Sequence, residues 1–512
     1  MTTLLRNGRL HRAPDDEHAT ALAVADGRIA WVGDDDGASA YDGADEVVDL
    51  GGHLVTPAFV DAHVHSVGTG QQLEGLDLSA APSREEALDR LAEYARRRPG
   101  DEVLLGGGWD ETRWHDQRPP TADEIERAAP GRLVYQVRVD RHSVLVSHGL
   151  LHRVPDDLEG RLAEGWLARG AKQHVLGLLD DLVGPDQRRS AARRAMQEQA
   201  RHGVAAVHEN AAPHIGPDWE VAVVRTAAAE VGVHLTAYWG ELCAYDAVER
   251  LGVDGLAGDL SADGSIGSRT ACFHEPYDDA PGHSGHAYLT AEQVEEHVVG
   301  CTERGIQAGF HCIGDAGIDA VAEGFDGAAG RLGDERVRAA RHRVEHVELP
   351  TETALRVLAR LQVTASVQPM FDGLWGGPGG AYAHRLGERW SRMNPLADLH
   401  TAGLAMGFGS DTPVTPIGPW RAVRAGVHHG TPGQGLSPDQ AFAAHTLGGW
   451  RAARIDDAGV LRPGQRATFA VWDVAEFPDL DPGADLPRCA RTVVDGRTIF
   501  PDPSTGSGQG QR

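Results

Sequence analysis

The clearest indication of the architecture is the stretch TPAFVDAHVHSVG, residues 56–68, in which a short apolar run leads into two histidines one residue apart. Side chains alternate between the two faces of a strand, so a strand here places His63 and His65 on the same face. Both imidazoles can then reach one metal ion, although such a pair taken alone is more often a surface or core feature. We predict that this stretch is the first strand of a barrel.

Seven further strand candidates follow after residue 200, and helical segments separate most of them. They are GVAAVHE (203–209), HLTAYW (234–239), DLSADG (259–264), IQAGFHC (306–312), HRVEHV (342–347), TASVQP (364–369) and AMGFGSD (405–411). With the first strand they number eight, which is the strand count of a (β/α)8 TIM-type barrel. The expected fold class is therefore α/β, with such a barrel at its centre.

The two ends of the chain differ from the middle. Both consist of short β segments separated by Gly and Asp-Gly turns, which predicts a small β-sandwich built from residues 1–55 and 456–501. The barrel is expected over residues 56–455. The part from about 70 to 200 is too long for one loop, so we predict an insertion over the barrel mouth. The polar residues 502–512 are predicted to form a disordered tail.

The charge balance excludes several classes of partner. The 512 residues include 75 acidic and 48 basic side chains, and the resulting net charge of −27 disfavours binding to nucleic acid or to an anionic membrane. No signal peptide or membrane span is predicted. The five cysteines are scattered and odd in number, as expected of reduced thiols. We expect a cytoplasmic protein with a small-molecule substrate, and homo-oligomerisation stays open.

Most of the predicted strands end in a side chain that can bind a metal. These side chains are His63, His65, His208, Glu209, Asp259 or Asp263, His311, His346 and Asp411. Each has an ordinary structural explanation, such as a packed histidine or an aspartate that caps a turn. Catalytic groups of a barrel lie at the carboxyl ends of its strands. It is improbable that so many metal-binding side chains occur at those ends by chance. The pattern therefore predicts a shared metal site.

The order of short motifs resembles that of a known enzyme family. DAHVH, HCIGDAG, RVEH, SVQP and GSDTPV are similar to motifs of the amidohydrolase superfamily, whose members are metal-dependent hydrolases built on a (β/α)8 barrel with a small β-sandwich. GGGWDETRW, RVDRHSVLVSHGLL, DGSIGSRTACFHEPY and GVLRPGQRATFAVWD resemble amidohydrolase family 3, the branch that includes N-substituted formamide deformylases. The resemblance extends from about residue 5 to residue 500.

The resemblance implies roles for five residues. His63 and His65 would bind a first metal, His311 and His346 a second, and Asp411 would be both a ligand and the general base. A metal lowers the pKa of bound water, and a carboxylate can move the proton. We therefore predict a hydrolase of non-peptide C–N bonds in amides, formamides, carbamates or cyclic amides. Ester hydrolysis, deamination, isomerisation and a non-catalytic barrel that binds a metal or a small molecule stay open.

The lysine content bears on the number of metal ions. Many amidohydrolases bridge two metals with a carboxylated lysine after strand four, and this chain has Asp259 at that position. Lys172 is the only lysine and precedes the second predicted strand, so a carboxylated lysine is not expected. Three arrangements stay open: Asp259 bridges two ions, Glu209 reaches across, or one ion is bound. We expect one or two divalent ions, and the imidazole ligands favour zinc.

Substrate contacts are expected from the insertion and from the loop after strand four. The candidates are Trp109, Asp110, Arg138, His142 and Arg269. The Arg269 guanidinium is suited to clamp a carboxylate or a carbonyl, and Trp109 has packing as an ordinary alternative role. A serine triad is disfavoured because the chain has no G-x-S-x-G motif, and Cys312 fits a small core residue.

Overall fold

Eight parallel strands form one sheet in a computed structural model that describes residues 1–11, 19–139 and 143–501. In chain order the strands are Phe59–Val64, Val204–Ala211, His234–Trp239, Gly255–Leu256, Gln307–Cys312, Arg343–His346, Thr364–Val367 and Met406–Phe408. A parallel bridge between Val64 and Thr412 joins the first strand to the segment after the eighth. The sheet therefore nearly closes on itself, and the predicted (β/α)8 barrel is confirmed.

The fourth strand differs from its prediction over residues 259–264. It is short, Gly255–Leu256, and residues 259–264 form irregular backbone with one bridge from Ser261 to His311. The reason lies at Gly258, which has φ +72° and lies so close to Asn210 that a Cβ atom would meet its Oδ1 at 2.4 Å. Only glycine adopts that conformation without strain, so the strand ends before Asp259.

Helices connect the barrel strands and follow the last one. Their bounds are Glu220–Val231, Tyr245–Leu251, Ala291–Arg304, Asp315–Leu332, Asp334–Ala340, Glu352–Arg360, Pro369–Trp375, Ala381–Leu386, Leu396–Thr401, Pro419–Val427, Pro438–Ala444 and Leu447–Ala452. Thr290 starts one of them with a capping box, in which its side chain accepts the Gln293 backbone N–H. No helix in the described part of the chain has the length and apolarity needed to span a bilayer.

Strands from the two ends of the chain form two further sheets. One has the order Arg28–Gly33, Ala21–Ala25, Thr2–Arg6, Glu46–Asp49, and the other Arg9–Leu10, Leu54–Pro57, Phe469–Trp472, Cys489–Val494, Arg497–Phe500. Leu22 and Ile29 of the first sheet share a buried cluster with Val55, Phe469 and Val493 of the second. The apolar faces of the two sheets thus pack on each other, as in a β-sandwich.

The chain divides into two compact units. Met1–His65, Met196–Val221 and the chain from Ala228 onward form the first unit, and Ser66–Ala195 with Ala222–Ala227 form the second. The second unit contains a six-stranded sheet in the order Arg161–Ala163, Trp166–Ala168, Ser143–Val146, Leu133–Arg138, Val103–Trp109, Leu76–Asp77. Its helices are Ser66–Glu74, Arg84–Arg97, Ala122–Ala128, His148–Leu151 and Arg169–Leu182, and Pro185–Arg201 leads back to the barrel. The predicted tail, 502–512, lies outside the described residues.

Gly203 lies where the second barrel strand meets the β-sandwich. Its carbonyl accepts the Phe59 backbone N–H at 2.9 Å. Its φ is +78°, and a Cβ atom here would lie 2.4 Å from Cη2 of the buried Trp472. Any side chain at this position therefore meets both backbone strain and a steric clash.

We expect Gly203→Ala to lower the free energy of unfolding by roughly 2–4 kcal/mol, because the strained left-handed backbone and the clash of the new methyl group with Trp472 both destabilise the fold. Gly305→Ala is the matched control, since Gly305 has φ +69° but no described atom within 4 Å of the added Cβ. In this control the free energy of unfolding should fall by only about 1 kcal/mol, from the backbone strain alone. Urea denaturation of both variants measures the difference, and equal losses would contradict a steric contribution from Trp472.

Candidate metal centre

Two histidines at the end of the first barrel strand point to one cluster. The His63 side chain is fully buried and that of His65 is 15% exposed. Their ring centroids lie 5.3 Å apart. Alternation along the strand, Phe59–Val64, explains why both rings lie on the same face.

Three imidazoles of the cluster are each anchored through one ring nitrogen. The anchoring hydrogen bonds run from His63 Nδ1 to Glu345 Oε2 (2.9 Å), from His346 Nδ1 to Gln368 Oε1 (2.7 Å) and from His311 Nε2 to the Gly264 carbonyl (3.2 Å). A nitrogen that donates such a bond fixes the tautomer and leaves the other ring nitrogen available as a ligand. The cluster therefore presents ring nitrogens that are already oriented.

Two carboxylates lie against these rings. Asp259 Oδ1 lies 3.5 Å from His63 Nε2 and 3.6 Å from His311 Nδ1, and Asp259 Oδ2 lies 3.3 Å from His65 Nε2. Asp411 Oδ1 lies 3.1 Å from His65 Nε2 and 3.6 Å from His63 Nε2. Side chains at the ends of strands one and five and in the segments after strands four and eight thus meet at one point.

The backbone around Asp411 is held in a strained conformation. Asp411 has φ +54°, a region that residues other than glycine rarely occupy. Its N–H donates to the His63 carbonyl at 2.8 Å, and the preceding Ser410 donates to Asp61 from its backbone N–H and from its hydroxyl, both at 2.7 Å. Strain of this kind persists only where neighbouring contacts impose it, and it is concentrated at functional sites.

Burial and the carboxylates act in opposite directions on the histidines. Burial alone would lower the pKa of His63, but Asp259 and Asp411 raise it well above its ordinary value. Burial likewise opposes the effect of Asp259 on His311, whose pKa rises to about 9. Burial and the neighbouring His311 and His63 lower the pKa of His346 to about 4. Without metal, protons on the imidazoles therefore balance the carboxylate charge.

The cluster fits a divalent metal ion. His63, His65 and Asp411 form one group whose potential ligand atoms all lie within 4.8 Å of one another, and His63, Asp259 and His346 form a second. His63 Nε2 and Asp259 Oδ1 are buried and have no hydrogen-bond partner among the described residues. Nitrogen and carboxylate ligands suit zinc and related ions, and an ion would satisfy both atoms.

The comparison with protein families agrees with this geometry. The model of the amidohydrolase family matches residues 46–500. The chain belongs to the amidohydrolase family. The resemblance found in the sequence motifs is thereby confirmed, and the protein is a hydrolytic enzyme.

Individual relatives of this amidohydrolase span nearly its whole length. The LONG AFTER FAR-RED 3 protein of Arabidopsis thaliana is 25% identical over 97% of this chain and 91% of its own. A Bacillus subtilis protein named as amidohydrolase YtcJ is 26% identical over 95% and 97%. The N-substituted formamide deformylase of Arthrobacter pascens is 23% identical over 89% and 90%. A metal-dependent hydrolase from Pyrococcus furiosus has the same fold, with a TM-score of 0.79, 23% identity and coverage of 93% and 99%.

The structure separates the two aspartates that were candidates after strand four. Asp259 lies in the cluster of this amidohydrolase, whereas Asp263 is occupied elsewhere. The Asp263 carboxylate accepts the backbone N–H groups of Cys272, Ile313 and Gly314 at 2.8–2.9 Å. These bonds give Asp263 a structural role in joining two loops.

The remaining strand-end candidates lie outside both ligand groups. Neither of the two ligand groups at the cluster includes Glu209 or His311. His208 Nδ1 accepts a hydrogen bond from Arg343 at 2.9 Å. Lys172 lies in the helix Arg169–Leu182 of the second unit.

The predicted substrate-binding residues have the following placements. Trp109 is buried in the core of the second unit, and Arg138 forms an ion pair with Glu111 at 2.9 Å. Asp110 caps a short 3-10 helix through the Thr112 backbone N–H. Arg269 Nη2 lies 2.7 Å from Asp279 Oδ2, and His142 lies outside the described residues. Contact of these residues with a substrate stays a prediction.

Three residues near the cluster were not among the sequence candidates. Glu345 and Gln368 anchor His63 and His346, and they lie within the RVEH and SVQP motifs that the sequence analysis quoted. His214, in the exposed loop after strand two, interacts electrostatically with Asp259, His311 and His65. A lone histidine in a loop has no spacing signal, so only the folded structure identifies it.

We expect Zn²⁺ binding to the metal-free amidohydrolase to release protons at pH 7. The pKa of His63, which belongs to both ligand groups, is raised well above its ordinary value, so this imidazole carries an extra proton at neutral pH and must lose it to bind. The affinity should therefore rise as the pH increases above 7, by about tenfold per pH unit for each proton released. Calorimetry in two buffers of different ionisation enthalpy counts the protons, and buffer-independent heat at pH 7 would contradict the expectation.

Proposed function

We propose that this amidohydrolase hydrolyses non-peptide C–N bonds of small molecules, such as amides, formamides, carbamates or cyclic amides, with a bound divalent metal ion, zinc being favoured. The single observation that carries the proposal is the cluster at the strand ends, where anchored imidazoles and two carboxylates face one another. Family membership supports hydrolysis, and the formamide deformylase among the relatives supports a C–N bond.

The proposal assigns His63 to the metal together with His65 and Asp411, or with Asp259 and His346. When bound, the metal supplies an acidic water and polarises the carbonyl under attack. Both ligand groups include His63, whose single available nitrogen, Nε2, binds one ion only. We therefore propose one ion per chain.

Asp411 is suited to move the proton. Burial raises and the neighbouring His63 and His65 lower its pKa, with a net decrease, so its carboxylate is ionised at neutral pH. Its Oδ1 already lies at hydrogen-bond distance, 3.1 Å, from His65 Nε2. A carboxylate fixed there can take the proton of the attacking water and pass it to the leaving nitrogen. The hydrogen bonds around Ser410 hold this carboxylate in position.

The experiment combines metal analysis with a substrate panel. Purified protein should contain about one divalent ion per chain, and it should hydrolyse members of a panel of N-formyl amines, N-acyl amino acids, cyclic ureides and esters. The double variant His63→Ala/His65→Ala should lose both metal and activity, because it removes two ligands. A metal-free wild type, or full activity in the double variant, would overturn the proposal. Turnover of esters alone would reject the C–N bond assignment.

We expect Asp411→Asn to lower kcat by about 10²–10⁴-fold, because an amide cannot accept the proton of the water. Asp372→Asn is the matched control. Asp372 is also a buried carboxylate, but it accepts the Gly430 backbone N–H and belongs to neither ligand group. Steady-state kinetics with measured metal content test both variants. Equal losses of kcat in the two variants would contradict a role for Asp411 in proton transfer.

A further inference from the structure

A pair of opposite charges is completely buried inside the barrel, below the metal cluster. Arg343 and Glu345 lie two residues apart on the sixth strand, and both side chains are 0% exposed. Arg343 Nε donates to Glu345 Oε1 at 2.6 Å, and Arg343 Nη2 donates to Glu345 Oε2 at 2.9 Å. The interior of such barrels is ordinarily filled by branched apolar side chains, so this pair is an exception that requires an explanation.

Neighbouring strands hold the guanidinium in place. Arg343 Nη2 donates to the Ala62 carbonyl on the first strand at 2.7 Å, and Nη1 donates to His208 Nδ1 on the second at 2.9 Å. The guanidinium carbon lies 4.5 Å from the ring centroid of Tyr238 on the third strand. The cation is therefore fixed from several directions, and through its two bonds it fixes the Glu345 carboxylate.

The carboxylate in turn fixes a ring of the cluster. Glu345 Oε2 accepts the hydrogen bond of His63 Nδ1 at 2.9 Å. This bond assigns the proton to Nδ1 and leaves Nε2 directed towards Asp259 and Asp411, at 3.5 and 3.6 Å. A carboxylate behind a ligating histidine orients the ring and raises its basicity.

Stability alone does not account for the pair. Two charges in a barrel interior lose their hydration, and apolar side chains of similar size are commonly as stable or more stable there. The pair nevertheless contacts His63 directly, and His63 is the residue shared by both ligand groups. The contact with His63 is therefore the feature that apolar residues could not replace.

We propose that Arg343 and Glu345 form a positioning pair that fixes the tautomer and orientation of His63 and thereby sets the affinity of the site for its metal ion. This inference rests on the proposed function, because it requires that His63 binds a metal. Glu345 acts through His63 and Arg343 acts through Glu345, so neither touches the reacting atoms.

The test separates positioning from a purely structural role with three variants. Glu345→Leu removes the acceptor of His63 Nδ1 but leaves Arg343 buried without its counter-charge. Arg343→Met/Glu345→Leu removes both charges. Glu348→Leu is the matched control, since Glu348 is a buried carboxyl on the same segment that accepts the Tyr382 hydroxyl at 2.7 Å. Each metal-free variant is melted to measure stability. It is then titrated with Zn²⁺ against a chromogenic chelator, and with Co²⁺ to record the visible spectrum of the site.

If the pair positions His63, the double variant should melt at or above the wild-type temperature, because it buries no unpaired charge. It should nevertheless bind Zn²⁺ about 10- to 100-fold more weakly and give an altered Co²⁺ spectrum. Glu345→Leu should lose both stability and affinity, whereas Glu348→Leu should keep the wild-type affinity for Zn²⁺. Wild-type Zn²⁺ affinity in the double variant, or an equal loss in Glu348→Leu, overturns the inference and leaves the proposed function intact. A wild-type protein that binds neither ion overturns the proposed function, and the inference with it.

Discussion

Backbone hydrogen bonds that close the barrel are the constraint on which the metal cluster depends. The Asp411 N–H donates to the His63 carbonyl at 2.8 Å, and the His65 N–H donates to the Thr412 carbonyl at 2.9 Å. These two bonds place His65 beside Asp411, which lies 346 positions away in the chain. Because the ends of all the parallel strands then face the same side, His311, His346 and Asp259 reach the same point without any local sequence relationship. The strained φ of Asp411 is maintained by this closure.

A second layer of polar contacts gives the cluster its orientation. His63 is anchored by Glu345, His346 by Gln368 and His311 by a backbone carbonyl. The same contacts explain why a buried guanidinium is present in the barrel interior, since it holds the carboxylate behind His63. The barrel therefore combines an apolar outer packing with a polar interior beneath the site. The polar interior fixes the orientation of the ligands.

Much of the architecture was predictable because it depends on local patterns. Apolar runs that end in polar residues indicate parallel strands, and their number indicates the barrel. The fourth strand was misplaced, because Gly258 adopts a left-handed conformation against Asn210 and ends the strand early. The sequence offered both Asp259 and Asp263 after the fourth strand, and only the resemblance to the family favoured Asp259. The choice between them depends on three backbone N–H groups, from Cys272, Ile313 and Gly314, that approach Asp263 only in the folded chain.

The sequence by itself determined the chemical types available at the site: an HxH pair, further histidines and aspartates at strand ends, and a single lysine at position 172. These properties are local, because composition and the alternation of side chains along a strand need no tertiary contact. Only the tertiary structure decided which carboxylate joins the imidazoles, which nitrogen of each ring is available, and which partners fix it. Hydrogen bonds between residues far apart in the chain decide these three features, and those bonds form only when the barrel closes.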